Sequence, residues 1–247
     1  KVIALTNNEK DALPGFFEQF KSVTMHFGIL DSGSTDGTLE WAKANNIEVA
    51  SRDFDRFDSQ RNASIELLGR DAEWILQLDP DERLDPHTIR HIADLVRSEE
   101  FDIYLTHLVA INRDGTEKEW VGKPFLWRNK PEIRWALPVH EKLIGSHRQA
   151  WVKNGCIEHH IALHSHERRA KSESHYIDLA HLPRQDLSQW PIIDYEHPMH
   201  PGLKQINIGP LISVIIPTYK RGMLRVKAEE SVRQQDYRPF EVIVVGD

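Results

Sequence analysis

The stretch "LDPDERL", residues 78–84, sets Asp79 and Asp81 two positions apart, with Glu82 beside them, at the end of an apolar run. Carboxylates at i and i+2 on a turn leaving a buried strand can both face one hard cation. Mg2+ or Mn2+ takes oxygen ligands and keeps waters and phosphates in its shell. Such an ion can bridge a diphosphate and offset the charge it gains as a leaving group. An isolated D-x-D is more often a solvated acidic turn, shaped here by Pro80. Its position at a strand end is what gives it weight.

Two further polar clusters share that kind of position. "LDSGSTDGT", residues 30–38, follows a second apolar run. Asp31 can accept hydrogen bonds from a base or ribose, Gly33 and Gly37 permit close backbone approach, and Ser34, Thr35 and Asp36 can start a helix. The bland alternative is a well-capped turn. A calcium loop is excluded because Asp36 stands where that loop needs glycine, and no G-x-G-x-x-G follows the first strand. "TNNE", which includes Thr6, Asn8 and Glu9, ends the first apolar run.

These clusters need a scaffold that brings strand ends together. "VIALT", "HFGIL", "IEVA" and "EWILQL" read as strands. "KDALPGFFEQFK", "TDGTLEWAKANN", "SQRNASIELLGR" and "DPHTIRHIADLVRSE" read as helices, the second capped by Thr35 or Asp36 and the last by an Asp-Pro pair. Such alternation predicts an α/β fold with a mostly parallel sheet and helices on both faces, whose ligands sit at the carboxyl ends of the strands. After Glu100, "FDIYLTHLVAI", the turn "NRDG" and "EKEWVGKPFLW" predict an antiparallel hairpin followed by short strands, and "ERRAKSESHYIDLAHL" a later helix. Residues 183–210 are rich in proline and weakly periodic, which suits a linker or wrapping segment. "LISVIIPTYKR" through "EVIVVGD" then repeats the opening pattern of strand, helix and strand. Both ends run directly into or out of strands, so the chain reads as a piece of a longer protein.

Composition narrows the classes. The 247 residues carry a formal net charge of -7, which gives no basic footprint for nucleic acid. No run is long and apolar enough to span a membrane, and the single cysteine, Cys156, suits a reducing compartment. Cytoplasm is the expected location, with peripheral contact at a membrane surface left to regions outside this sequence.

Taken in order, "IALTNNEK", "ILDSGSTDGT", "SQRNAS", "WILQLDPDERL" and "PVHEKL" resemble the family 2 glycosyltransferases of the GT-A fold, in the branch of bacterial lipopolysaccharide-core β-glucosyltransferases. The likeness covers about the first 180 residues, and the C-terminal repeat resembles the start of a second such domain. The domains expected are therefore 1–182 for the transferase, 183–210 for the linker and 211–247 for the incomplete second unit. The resemblance implies an inverting transfer from a nucleotide-diphospho-sugar to a glycan or glycolipid acceptor in surface-polysaccharide synthesis. It implies nucleoside contacts from Thr6, Asn8, Glu9 and Asp31, and a nucleotide-side position for Arg61 in "QRN". Asp79 and Asp81 would hold Mg2+ or Mn2+ and the diphosphate, with Asp81 counted among the catalytic groups. Glu82 extends this cluster or orients the donor sugar. Many family members have a Glu-Asp pair late in the domain, and this chain has none. "VHE" stands in the comparable place, with Glu141 as base and His140 as a metal, phosphate or acceptor contact. Arg128 in "LWRN" is a further candidate for phosphate or acceptor.

"CIEHHIALHSHER" invites a zinc reading of Cys156, His159, His160, His164 and His166, but its spacing matches no well-specified finger and strand alternation splits the side chains between two faces. Histidines that support the site or are solvated are the expectation. The tryptophans at 120, 127, 135 and 151 are expected mostly in the core. Two rival functions remain. A nucleotidyltransferase would need a glycine-rich basic loop after the first strand, which "TNNEKDALPG" hardly supplies. A non-catalytic nucleotide- or glycan-binding module would bind the same ligands without transfer.

Overall fold

Short apolar runs flanked by turn residues become the parallel strands of one large sheet. The computed structural model describes residues 1–24, 26–112, 116–160, 177–182, 203–206, 208, 212–218, 231 and 240–246. The first half alternates as β1 (Val2–Thr6), α1 (Leu13–Glu18), β2 (Phe27–Asp31), α2 (Thr38–Ala44), β3 (Glu48–Ser51), α3 (Phe57–Leu68) and β4 (Trp74–Gln77). Then follow β5 (Glu82–Leu84), α4 (Pro86–Arg97), β6 (Ile103–Ile111), β7 (Glu117–Arg128), β8 (Arg134–Ala136), β9 (Lys142–Ile144), β10 (Gln149–His160) and β11 (Lys204–Ile206). A separate parallel pair, β12 (Ile212–Thr218) and β13 (Phe240–Gly246), closes the chain.

The main sheet runs β11-β10-β6-β7-β4-β1-β2-β3, with β5 added to β10. Strands β3, β2, β1 and β4 are mutually parallel, while β7 is antiparallel to both β4 and β6. The expected α/β class, mostly parallel with a small antiparallel part, is what forms. β1, β2 and β4 are buried nearly throughout, as strands covered on both faces must be. Alternate residues of β1 feed two cores. Val2 and Ala4 pack with α1, α2 and α4, and Ile3 packs with Leu68 of α3 and with Trp135 and Leu143 of the β8–β9 hairpin. Trp127, Trp135 and Trp151 are buried in the second core.

α4 begins as the Asp-Pro pair predicts, with the Asp85 carboxylate accepting from the Thr88 N–H at 2.9 Å. Of the stretch 183–210, Lys204–Ile206 forms β11, parallel to the first half of β10. The Asn154 amide holds the backbone of Ile208 from both sides, accepting from its N–H at 3.0 Å and donating to its C=O at 3.1 Å. The turn at 113–115 and most of the helix expected over 167–182 lie outside the described residues, although 177–180 are helical. No helix among the described residues is long and apolar enough to cross a membrane.

The β8–β9 hairpin depends on Gly145, whose φ of +107° is a left-handed conformation that side chains resist. A Cβ there would stand 1.9 Å from the Glu132 carbonyl oxygen. Gly145→Ala is expected to cost more than about 2 kcal/mol, read as a lowered denaturation midpoint, because backbone opposes it as well as φ.

Candidate active site

Thr6 and Asp31 end neighbouring strands in register, and β4 lies on the other side of β1, so the loops after β1, β2 and β4 leave the same rim of the sheet. The first two loops are laced together. Asn7 Nδ2 donates to the Ser32 carbonyl at 3.0 Å, the Asn8 N–H to Ser34 Oγ at 2.7 Å, and the Thr35 N–H to Asn8 Oδ1 at 2.8 Å. The Glu9 N–H reaches Thr38 Oγ1 and the Lys10 N–H reaches Asp36. Asn8 sits at φ 61°, which asparagine tolerates better than most residues. Asp31 is buried, and its carboxylate accepts from Thr6 Oγ1, Ser34 Oγ and the N–H groups of Gly33 and Ser34. Those four bonds use a carboxylate's ordinary accepting capacity. Asp31 therefore organises the loop here, and a base or ribose would have to displace one of its partners.

The acidic cluster lies at the end of β4. Glu82 caps its own turn by accepting the Asp79 N–H at 2.8 Å. Lys123 of β7 points its ammonium between Asp79 Oδ2, at 3.0 Å, and both oxygens of Glu82, at 2.5 and 2.7 Å. Pairing of β5 with β10 sets His159 opposite Glu82 and lets its Nε2 meet Asp81 Oδ2 at 2.7 Å. Asp79 is 35 % exposed, whereas Asp81 and Glu82 are buried.

Each side chain of "QRN" braces a different neighbour. Gln60 donates to the Arg52 carbonyl at 3.1 Å. Asn62 bonds the Trp135 backbone in both directions, at 2.8 and 2.9 Å. Between them Arg61 gives Nε to Glu141 at 2.7 Å and Nη2 to Asp79 at 3.0 Å, with its guanidinium 4.9 Å over the Trp135 ring and its buried Nη1 without a hydrogen-bond partner. α3 thus buries one face against the sheet, polar toward its start with Asp58, Gln60, Arg61 and Ser64 and apolar at its end, where Leu68 joins the core. Glu141 and the exposed His140 sit in the loop joining β8 to β9, where Leu137 and His140 adopt φ of 80° and 50°. Non-glycine residues held this way mark a backbone fixed by its surroundings.

Burial works to raise the Asp79 carboxyl, but the charges of Arg61 and Lys123, with His159 behind them, hold it well below the usual range. Burial disfavours the Lys123 ammonium, yet Asp79 and Glu82 raise it above its ordinary value. For Glu82 burial is the largest influence and, with the charges of Asp79 and Asp81, raises the carboxyl despite Lys123. Burial opposes the His159 imidazolium, and the bond to Asp81 outweighs it, so His159 titrates above its usual value. A raised histidine stabilises the fold fully below its unfolded pKa of about 6.5 and loses that contribution as pH rises through the folded value. Denaturant midpoints should therefore fall between pH 6.5 and the alkaline side in the native protein. The same curve should flatten in His159→Gln.

Arg128 is not part of this rim. It pairs with Trp74 at the opposite end of β4, where it bonds Glu73 at 2.9 Å, lies 3.6 Å from Asp102 and covers the Trp74 ring at 4.5 Å. The cause is strand direction: β7 runs antiparallel to β4, so its earlier residue, Lys123, reaches the carboxyl end and Arg128 the other. Of the histidine cluster, His159 supports Asp81 and His160 meets Glu158 at 3.0 Å, while His164 and His166 lie outside the described residues. The side chain of Trp120 is likewise outside them.

Among the described residues no three His, Cys, Asp or Glu side chains form a ready metal cage. The donor set does suit the kind of divalent site in which one or two carboxylates hold the ion and phosphates and water complete its shell. At this turn Asp79 is partly exposed and held ionised by its cations, while Asp81 is buried against His159.

A sequence profile described as glycosyl transferase family 2 matches residues 1–160, well over half of the chain. The chain belongs to the glycosyl transferase family 2. A TPR repeat-containing protein of Synechococcus elongatus is 27% identical over 143 residues, 56% of this chain and 33% of that protein. The chain therefore spans about a third of the length of the curated relative it matches. Solved structures resembling this glycosyl transferase family 2 chain include a mycobacterial protein at TM-score 0.43 and 14% identity, covering 56% of this chain and 55% of that one. S. aureus TarS residues 1–349 aligns at TM-score 0.40 and 18% identity, over 52% and 46% of the two chains. Glucosyl-3-phosphoglycerate synthase from Mycobacterium tuberculosis, in complex with Mn2+, UDP and glucosyl-3-phosphoglycerate, aligns at 0.36 and 17%, over 43% of each.

Proposed function

We propose that this chain transfers a sugar, with inversion, from a nucleotide-diphospho-sugar to a hydroxyl of a glycan or glycolipid. The observation that carries this reading is the single guanidinium of Arg61 joining Glu141 to Asp79, which brings a candidate base and a candidate diphosphate site to one rim. Family membership supports the same class of reaction.

In this mechanism Glu141 takes the proton from the acceptor hydroxyl as that oxygen attacks the anomeric carbon and the bond to the diphosphate breaks. Arg61 holds the Glu141 carboxylate in place. Asp79 and Asp81 would hold Mg2+ or Mn2+, which when bound offsets the charge developing on the departing diphosphate. The laced loops, with Thr6, Asn8 and Glu9, form the wall against which the nucleoside lies, and Asp31 keeps that wall in shape. His140, exposed beside Glu141, faces the acceptor side. Glu82 acts through Lys123 and the Asp79 backbone. The acceptor is assigned to bacterial surface-polysaccharide or lipopolysaccharide-core synthesis, on the cytoplasmic side of a membrane surface. The β12–β13 pair is assigned to the start of a second domain of the same family, the first domain being residues 1–182 with β11, from the stretch 183–210, added to its sheet.

A thermal-shift panel of nucleotides and nucleotide-sugars, with and without Mn2+, followed by transfer and donor-hydrolysis assays, tests the proposal. Selective stabilisation by one nucleotide series together with transfer or hydrolysis is expected. Selective stabilisation with neither reaction would put a binding module in its place. A flat panel on folded protein would remove the nucleotide altogether.

A further inference from the structure

We propose that Lys123 guards Asp79 and Glu82 against free divalent cations, so that a metal ion enters this site only together with a diphosphate. The inference rests on the donor reading above and assigns the ordering of its ligands to one side chain. Lys123 has three N–H donors, and its three contacts, to Asp79 Oδ2 and both oxygens of Glu82, use them all. Arg61 takes the other oxygen of Asp79 at 3.0 Å. The one acidic side chain of the cluster that opens to the rim therefore has a protein cation on each oxygen before any ligand arrives. The cluster sets Asp79, Asp81, Glu82 and Glu141 against Arg61, Lys123 and His159, so each carboxylate has a basic group beside it.

A bare dication approaching Asp79 would add two positive charges within a few ångströms of two that the fold already holds there. It would also have to give up hydration water, which small hard ions do reluctantly. Neither cation can leave with its backbone, because β7 is bonded to β4 on one side and β6 on the other, and Arg61 lies within α3. A dication carried on a diphosphate arrives with its charge compensated. The phosphate oxygens also offer the Lys123 ammonium new acceptors, and its flexible stem allows the head to turn from Asp79 to them. The side chain is 14 % exposed, enough for the head to meet a ligand at the rim. Metal and nucleotide then each raise the other's affinity by the same factor, as linkage requires.

The test is Mn2+ binding followed by electron paramagnetic resonance on the full chain, with Mn2+ alone and with UDP, GDP or dTDP, in the native protein, Lys123→Met and Lys123→Arg. The native protein and Lys123→Arg are expected to bind Mn2+ alone at least tenfold more weakly than in the presence of the preferred nucleoside diphosphate. Lys123→Met is expected to bind Mn2+ alone at least tenfold better than the native protein, and to show a correspondingly smaller effect of nucleotide. The double variant Lys123→Met/Glu82→Gln removes one charge of each sign and should show the same gain without leaving Glu82 charged and unpaired. Melting curves of both verify that they fold. Unchanged or weaker binding of Mn2+ alone by these variants, while the Mn2+–nucleotide complex still binds, overturns the guarding role and leaves the donor reading standing. A native protein that binds Mn2+ neither alone nor with any nucleotide overturns both.

Discussion

Glu141→Gln should fold normally, keep its nucleotide-dependent thermal stabilisation and lose two to four orders of magnitude in sugar transfer. The range is about that contributed by a positioned general base. The substitution is a clean probe because the amide oxygen of glutamine can still accept from Arg61 Nε, so the hairpin loop keeps its tether while the proposed proton acceptor is gone. Transfer assays and a thermal-shift titration on the same preparation separate the two effects. A variant that transfers normally would remove Glu141 from the chemistry and turn attention to His140, the exposed neighbour in the same loop.

The second large effect is expected at Arg61. Arg61→Met keeps much of the apolar stem against Trp135 but leaves Glu141, and in part Asp79, without its cation. Removing one partner of a buried charge network typically costs about 3–5 kcal/mol. The partial exposure of Asp79 puts the expectation at the low end, about 3 kcal/mol, measured as a shift in urea midpoint. Transfer should fall with it, since both the proposed base and the proposed diphosphate site lose their common brace. Arg61→Lys should rescue little of either. An ammonium cannot reproduce the fork that serves Glu141 through Nε and Asp79 through Nη2 at once. A stability change within about 0.5 kcal/mol, the range of an ordinary surface site, would show that the network carries no such load.

Much of this was legible before any coordinates. Continuous apolar runs ending in "TNNE", "LDSG" and "LDPD" are what a parallel sheet with a polar rim looks like in one dimension, and Thr6, Asp31 and Asp79 do leave the same rim. The polar face of α3 was harder, because a helix that buries Asp58, Gln60, Arg61 and Ser64 reads by periodicity as a surface element turned the wrong way. Lys123 and Arg128 show where local reading ends. They are five residues apart on one strand, on the order of 17 Å, and which of them reaches Asp79 depends on the direction in which β7 pairs with β4. No motif marks Lys123; only the antiparallel register does. Asp31 teaches a related lesson, since its position at a strand end was plain while its four internal partners depend on the loop conformation. β11 was hidden for another reason: three residues in a proline-rich stretch have no period to detect, and their strand exists through pairing with β10, whose Asn154 also holds Ile208 just beyond it.

That short strand bears on how the protein can be handled. β10 has its outer side covered twice, by β11 along Ala150–Val152 and by β5 along Ile157–His159, with a bulge between. The family match stops at residue 160, so a recombinant piece cut there would strip the first cover and present bare amide and carbonyl groups to any neighbouring molecule. Such a piece should self-associate on a sizing column, whereas one carried through residue 208 should elute as a single species under the same conditions.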